Sequence, residues 1–295
     1  MGAGHMNASI GIAEHMIAAG HRVLFTVNEH WLGRLSPHGI EEVLLADYEV
    51  PFRRAVNTEY VTRQELAATL FSGESPVQKV LIREKNPYLW IEYNESLDDN
   101  LGRLLPDIRP DVIVLNQLAT LPAMELSGVP CVWSWSVGPL NMVKNERAPP
   151  GESGLSATGD QELWREFRQS TRERRKPGLR AFNQWVVGRG CEPLPEHCMK
   201  NGAKYLNIYG FPRELDYQDI RPLGRNYVQF DGFMRSLERN VTLRVPPELA
   251  ANPGALVYVS FSTIVSMDVS NMRRLVAILA KSQHRFIVLM GPKHK

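Results

Sequence analysis

The sequence predicts an α/β fold: a mostly parallel, doubly wound sheet with helices on both faces, followed by the incomplete start of a second domain of the same kind. Three observations predict it. Short apolar and β-branched runs alternate with helical stretches from residue 7 onward. The runs are apolar along their length rather than alternating with polar residues, as strands buried on both faces require. A polar stretch at 235–254, punctuated by Pro and Gly, interrupts the alternation, which then resumes.

The first helix is expected over Asn7–Ala19. Ile10, Ala13, Met16 and Ile17 recur at helical spacing, Asn7 or Ser9 can cap the start, and Gly20 stands where a left-handed C-terminal cap belongs. Arg22–Val27 reads as a strand, and Glu41–Ala46 as a second, short one. A long, mostly helical stretch is expected over about 61–105, then a strand within 110–116, a helix over about 118–127, a turn at Gly128-Val129-Pro130 and a strand at Cys131–Trp135. Residues 145–160 are rich in Pro, Gly, Ser and charge and read as a loop. Gln161–Gln184 reads as a basic helix carrying Arg165, Arg168, Arg172, Arg174, Arg175, Lys176 and Arg180, with Trp164, Phe167 and Phe182 for apolar contact. Its charge is either a solvated face or a docking face for a membrane surface or a partner. Strands follow at 204–209 and 226–230. Beyond the linker come a strand at 255–261, a Ser/Thr turn, a helix over about 269–281 and a strand at 285–290. One strand–helix–strand unit is too small to close a core of its own.

Composition bounds the function. The chain has 295 residues, 43% apolar and 22% charged, which suits ordinary globular domains and argues against disorder. A formal charge of +2 and a pI near 8.4 give no case for nucleic acid. No run of about 18 apolar residues is present, so no membrane span is expected, and no signal segment is visible; a cytoplasmic location is the expectation. Three cysteines, Cys131, Cys191 and Cys198, make no disulfide framework. Cys191, His197 and Cys198 cluster without a second ligand pair, so no metal is expected. The sequons at Asn7, Asn94 and Asn240 carry no weight without secretion.

Three places can carry chemistry. Gly2-Ala3-Gly4-His5 sets a histidine on a glycine-containing loop before the first helix. It is either a base presented to a cleft, or a tag remnant or ordinary exposed loop histidine. Asn116, with Gln117, ends a strand on the side where doubly wound folds open their clefts, and is either a cleft residue or a turn former. Ser262 and Thr263 sit between a strand and a helix, where they could hold a diphosphate or simply cap the helix. The sequence contains no P-loop, no G-x-G-x-x-G and no G-x-S-x-G.

Three segments then carry a resemblance. GAGHMNASIGIAEHMIAAGHRVLFTV is similar to the Gly-His loop, helix and "GH-x-V-x-F" run of the UDP-glycosyltransferase family, whose members include plant, bacterial and animal detoxifying enzymes. PDVIVLNQLATLPAMELSGVPCV resembles that family's strand–helix–"GIP" segment, and ALVYVSFSTIVSMD its "VVYVSFGS" segment. The resemblance covers almost the whole chain, in the family's order and spacing. It implies a two-lobed GT-B fold: an acceptor-binding lobe over 1–237, a linker over 238–254 and the start of a Rossmann-like UDP-sugar-binding lobe over 255–295. It implies transfer of a sugar from a UDP-sugar donor to a hydroxyl of a small lipophilic acceptor, with inversion and without cofactor. His5 falls on the catalytic base. Asn116 falls where many members carry an orienting Asp, so the negative charge is missing. Ser262 and Thr263 fall on a Gly-Ser pair near the donor diphosphate, and Ala8 stands where Pro is frequent. The family's strand before the Gly-His loop and its downstream donor signature have no counterpart here, so the expectation is a chain cut at both ends, or a non-catalytic acceptor-binding or regulatory product. A UDP-sugar epimerase of related architecture fits the Gly-His loop less well.

Overall fold

The computed structural model describes residues 3–48, 88–236, 244–260 and 269–290. They fall into two compact units, one holding 3–48 and 88–236 and the other 244–260 and 269–290. Both are α/β with all-parallel pairing, as the alternation requires.

In the first unit, helix α1 (Ala3–Ala18) leads to strand β1 (Leu24–Val27), which pairs in parallel with β2 (Glu41–Leu44). The helix starts four residues before the expected Asn7, so neither Asn7 nor Ser9 caps it. Ser9 sits inside instead, its Oγ donating to the His5 carbonyl at 2.9 Å, the back-bond open to a serine within a helix. The C-terminal signal is realised in full. Gly20 has φ +90°, its N–H donates to Ile17 at 2.9 Å and that of His21 to Met16 at 3.0 Å, a Schellman closure. Met6, Ile10 and Ala13 form the inner face of α1 and pack with Val27, Leu35 and Ile40. Gly11 permits a closer approach: a Cβ there would lie 2.8 Å from the backbone carbon and oxygen of Met234. Three residues on, Glu14 accepts from the Ser236 N–H at 2.6 Å and Oγ at 2.5 Å and lies 2.7 Å from His38 Nδ1. Burial pushes its carboxyl up, but Ser236 and His38 outweigh burial and hold it below its ordinary value.

Most of the stretch expected to be helical over 61–105 lies outside the described residues. Within them, α2 (Tyr88–Ile108) precedes the strands β3 (Ile113–Leu115) and β4 (Cys131–Trp135). Between these strands the expected helix over 118–127 shrinks to one turn, α3 (Pro122–Glu125). The reason is local: the residue before a proline is driven out of the helical region, and Leu121 is extended at φ −114°. The buried Asp98 of α2 receives the Ala123 N–H at 2.7 Å, and burial raises its pKa.

A short turn, α4 (Pro139–Met142), precedes the expected loop at 145–160. The basic helix is α5 (Gln161–Gly188), capped by Asp160, which accepts the Glu162 N–H at 2.8 Å. Its apolar stripe of Trp164, Phe167, Phe182 and Val186 is buried. Much of its charge is paired: Arg168 and Arg172 with Glu146 at 3.2 and 2.6 Å, Arg175 with Glu152 at 3.2 Å, and Arg165 with Glu162.

Strands β5 (Leu206–Gly210) and β6 (Tyr227–Phe230) complete a parallel sheet in the order β3-β4-β5-β6. Its core holds Leu101, Leu104, Leu115, Leu121, Trp133, Trp135, Met142 and Tyr209. Trp133 and Trp135 stack at 4.9 Å, and Trp135 Nε1 donates to Asn207 Oδ1 at 2.9 Å. Lys200 Nζ lies 3.4 Å from the centre of the Trp135 ring and donates to the Met142 carbonyl at 2.9 Å. Burial, aided by Lys144, pulls this amine down to about 7. Asp216 and Arg221 are fully buried; Asp216 accepts from Tyr209 at 2.6 Å and Gln218 at 2.7 Å. All three cysteines are free.

The second unit holds a short helix α6 (Pro247–Ala251) inside the expected linker, then β7 (Leu256–Val259), α7 (Val269–Leu279) and β8 (Arg285–Val288), with β7 and β8 parallel. Gly254 has φ +93°, and a Cβ there would meet the Gln283 carbonyl oxygen at 2.3 Å. Arg285 ties the unit together by donating to the Leu249 and Ala250 carbonyls at 3.0 Å and to Gly254 at 2.9 Å.

Candidate active site

Three half-buried polar side chains meet where α1 begins and where β3 and β4 end. His5 belongs to the first turn of α1, Asn116 follows the last residue of β3, and Ser136 follows the last residue of β4. This is the carboxyl side of a parallel sheet, where α/β folds place their clefts. His5 Nδ1 lies 3.1 Å from Asn116 Oδ1 and 2.8 Å from Ser136 Oγ. Asn116 Nδ2 donates to Ser136 Oγ at 2.8 Å, and the Ser136 hydroxyl can donate to Asn116 Oδ1 at 2.9 Å. Longer approaches of 3.4 Å join Asn116 Nδ2 to the His5 carbonyl and to Ser9 Oγ.

Only one ring nitrogen of His5 is engaged: among the described residues Nε2 has no hydrogen-bond partner. No carboxylate bonds to the ring among these residues either, so the imidazole is held by neutral groups. An arrangement of this kind can take up a proton at Nε2 while Nδ1 keeps its own.

The structure thus brings His5 and Asn116 together. Ser262 and Thr263 lie outside the described residues. Ser136 escaped the sequence reading, although it offered the same signal as Asn116, a polar residue directly after an apolar strand. The expected strand ended correctly at Trp135, but the serine after it was not singled out. A separate cavity of about 110 Å³, lined by Leu115, Thr120, Cys131, Trp133, Lys204 and Tyr205, includes none of the three site residues. Cys131 is pushed up to about 11 by burial, far from a reactive thiolate.

No protein-family model matches the sequence, and no curated protein matches it. Solved structures do match the fold. The kitacinnamycin glycotransferase superposes with a TM-score of 0.61 at 14% identity, over 100% of this chain and 64% of that one. The calicheamicin glycosyltransferase CalG4 superposes with a TM-score of 0.55 at 16% identity, over 100% of this chain and 63% of that one. The chain therefore has the α/β fold of the GT-B glycosyltransferases, and it spans less than two thirds of the length of either structure.

Proposed function

We propose that the chain is the acceptor-binding lobe, with the start of the donor lobe, of a glycosyltransferase that moves a sugar from a UDP-sugar to a hydroxyl of a small lipophilic acceptor. The observation that carries the reading is the Nε2 of His5, without a hydrogen-bond partner among the described residues, on a ring held through Nδ1 at the carboxyl ends of β3 and β4. In the proposed reaction Nε2 removes the proton of the acceptor hydroxyl. The oxygen attacks the anomeric carbon, the bond from that carbon to the diphosphate breaks, and UDP departs with the electron pair. Attack from the face opposite the leaving group inverts the configuration. Ser262 and Thr263 are proposed to approach the diphosphate. Glycosyltransferase neighbours and the sequence resemblance support the class; the UDP donor and the lipophilic acceptor follow from the resemblance alone.

The test is sugar transfer by the full-length protein, with UDP-sugars and a panel of hydroxylated acceptors. His5→Ala is expected to lower kcat by roughly 10²–10⁴-fold while leaving the UDP affinity measured by calorimetry unchanged. Turnover that survives the substitution removes His5 as the base. Failure of every UDP-sugar to react removes the donor assignment.

A further inference from the structure

The hydrogen bonds around His5 are self-consistent only with a proton on Nδ1. The Ser9 hydroxyl is committed as a donor to the His5 carbonyl at 2.9 Å, which leaves its oxygen as an acceptor. The His5 carbonyl is an acceptor as well. Both lie 3.4 Å from the same end of the Asn116 amide, so that end carries the NH₂ group and the other end is the oxygen. Asn116 Oδ1 therefore faces His5 Nδ1 at 3.1 Å. An oxygen with no proton against a nitrogen with no proton would be a repulsion of lone pairs, so Nδ1 carries the hydrogen.

The remaining group is the Ser136 hydroxyl, which stands closer to Nδ1 than the amide does, at 2.8 Å. It has one proton and two lone pairs. The Asn116 NH₂ donates to it at 2.8 Å, and its own proton is satisfied on Asn116 Oδ1 at 2.9 Å. One lone pair is left, and Nδ1–H fills it. In the opposite tautomer the hydroxyl would turn its proton to Nδ1, Asn116 Oδ1 would lose that proton, and the oxygen would still face a bare nitrogen.

We propose that Ser136 is the positioning residue of His5: its hydroxyl accepts the Nδ1 proton and, with Asn116, locks the imidazole as the tautomer whose Nε2 lone pair is free. Ser136 acts through His5 and touches no substrate in this role. It supplies by neutral hydrogen bonding the orientation that a carboxylate would supply with charge. The consequence for turnover rests on the proposed role of His5 as base, whereas the tautomer itself does not.

The experiment is long-range ¹H–¹⁵N correlation of the His5 ring in the full 295-residue chain, above the pH at which the ring is protonated, without donor or acceptor. The wild type is expected to show a pyrrole-like Nδ1 and a pyridine-like Nε2; the reverse pattern overturns the proposal outright, whatever any variant does. Ser136→Ala is expected to shift a measurable fraction of the ring to the Nε2–H form, and Ser136→Thr, which keeps the hydroxyl, to retain the wild-type pattern. An alanine variant with the wild-type tautomer overturns the role of Ser136. In the full-length protein, Ser136→Ala is expected to lower kcat about tenfold or more with KM little changed, and Ser136→Thr to restore it. A protein that keeps the Nδ1–H pattern but transfers no sugar refutes the proposed function and leaves the positioning role in place.

Discussion

At the scale of single residues, the most exacting position outside the site is Arg221. Its side chain is fully buried, its Nη2 donates to the Asp216 carbonyl at 2.9 Å and stands 3.5 Å from Asp216 Oδ1, and its Nε and Nη1 have no partner among the described residues. Burial pulls the guanidinium down and Asp216 opposes that shift. A buried ion pair contributes little net stability, but removing one partner leaves a charge with no compensation. Asp216→Asn is therefore expected to cost about 3–5 kcal/mol in urea unfolding, and adding Arg221→Met to recover part of that loss. Loss of less than about 1 kcal/mol in the single variant would mean that the guanidinium finds its compensation elsewhere.

At the scale of elements, α1 depends on packing at Gly11. Its Gly11 lies inside a helix, where alanine gains about 1 kcal/mol of intrinsic propensity. The contact with Met234 decides the sign, because a methyl group 2.8 Å from backbone atoms cannot be absorbed by a flexible side chain. Gly11→Ala is expected to destabilise by about 1–3 kcal/mol, read from the thermal midpoint; a stabilised variant would refute the close approach. The elements differ in how legible they were. The core strand Cys131–Trp135 and the start of α5 at Gln161 are visible in sequence because an apolar run marks the one and the end of a Pro- and Gly-rich loop marks the other. Gly20 was visible because a left-handed residue after a helix calls for glycine. The helix expected at 118–127 was overestimated because its apolar periodicity says nothing about the backbone restriction that Pro122 places on Leu121. The early start of α1 was hidden since glycines at 2 and 4 read as loop. In the site, all three residues lie at element ends, but that Ser136 and Asn116 meet follows from the parallel pairing of β3 with β4, in which Leu115 lies opposite Trp133, and sequence does not display that pairing.

At the scale of the whole molecule, the depressed amine of Lys200 makes stability depend on pH in a defined direction. Its folded value is about 7 against an ordinary 10.5, so between those limits the unfolded chain binds more protons than the folded one. Stability then rises with pH across that window and the contribution is lost below about 7, the reverse of a lysine that gains an anionic partner. Urea midpoints at pH 7 and pH 9 are expected to increase more in the wild type than in Lys200→Met. Equal increases would show that Lys200 holds its proton in the fold throughout. The proposed active site also has a history in time. Asn116 and Ser136 are 20 residues apart, whereas His5 is 111 residues from Asn116. Closing the longer loop costs about 1.5 kcal/mol more in chain entropy by the logarithmic law. The amide–hydroxyl half of the cluster is thus a local product of adjacent strands, and the histidine is its long-range member. During synthesis the amino end emerges first, so His5 is made more than a hundred residues before the two groups that fix its proton.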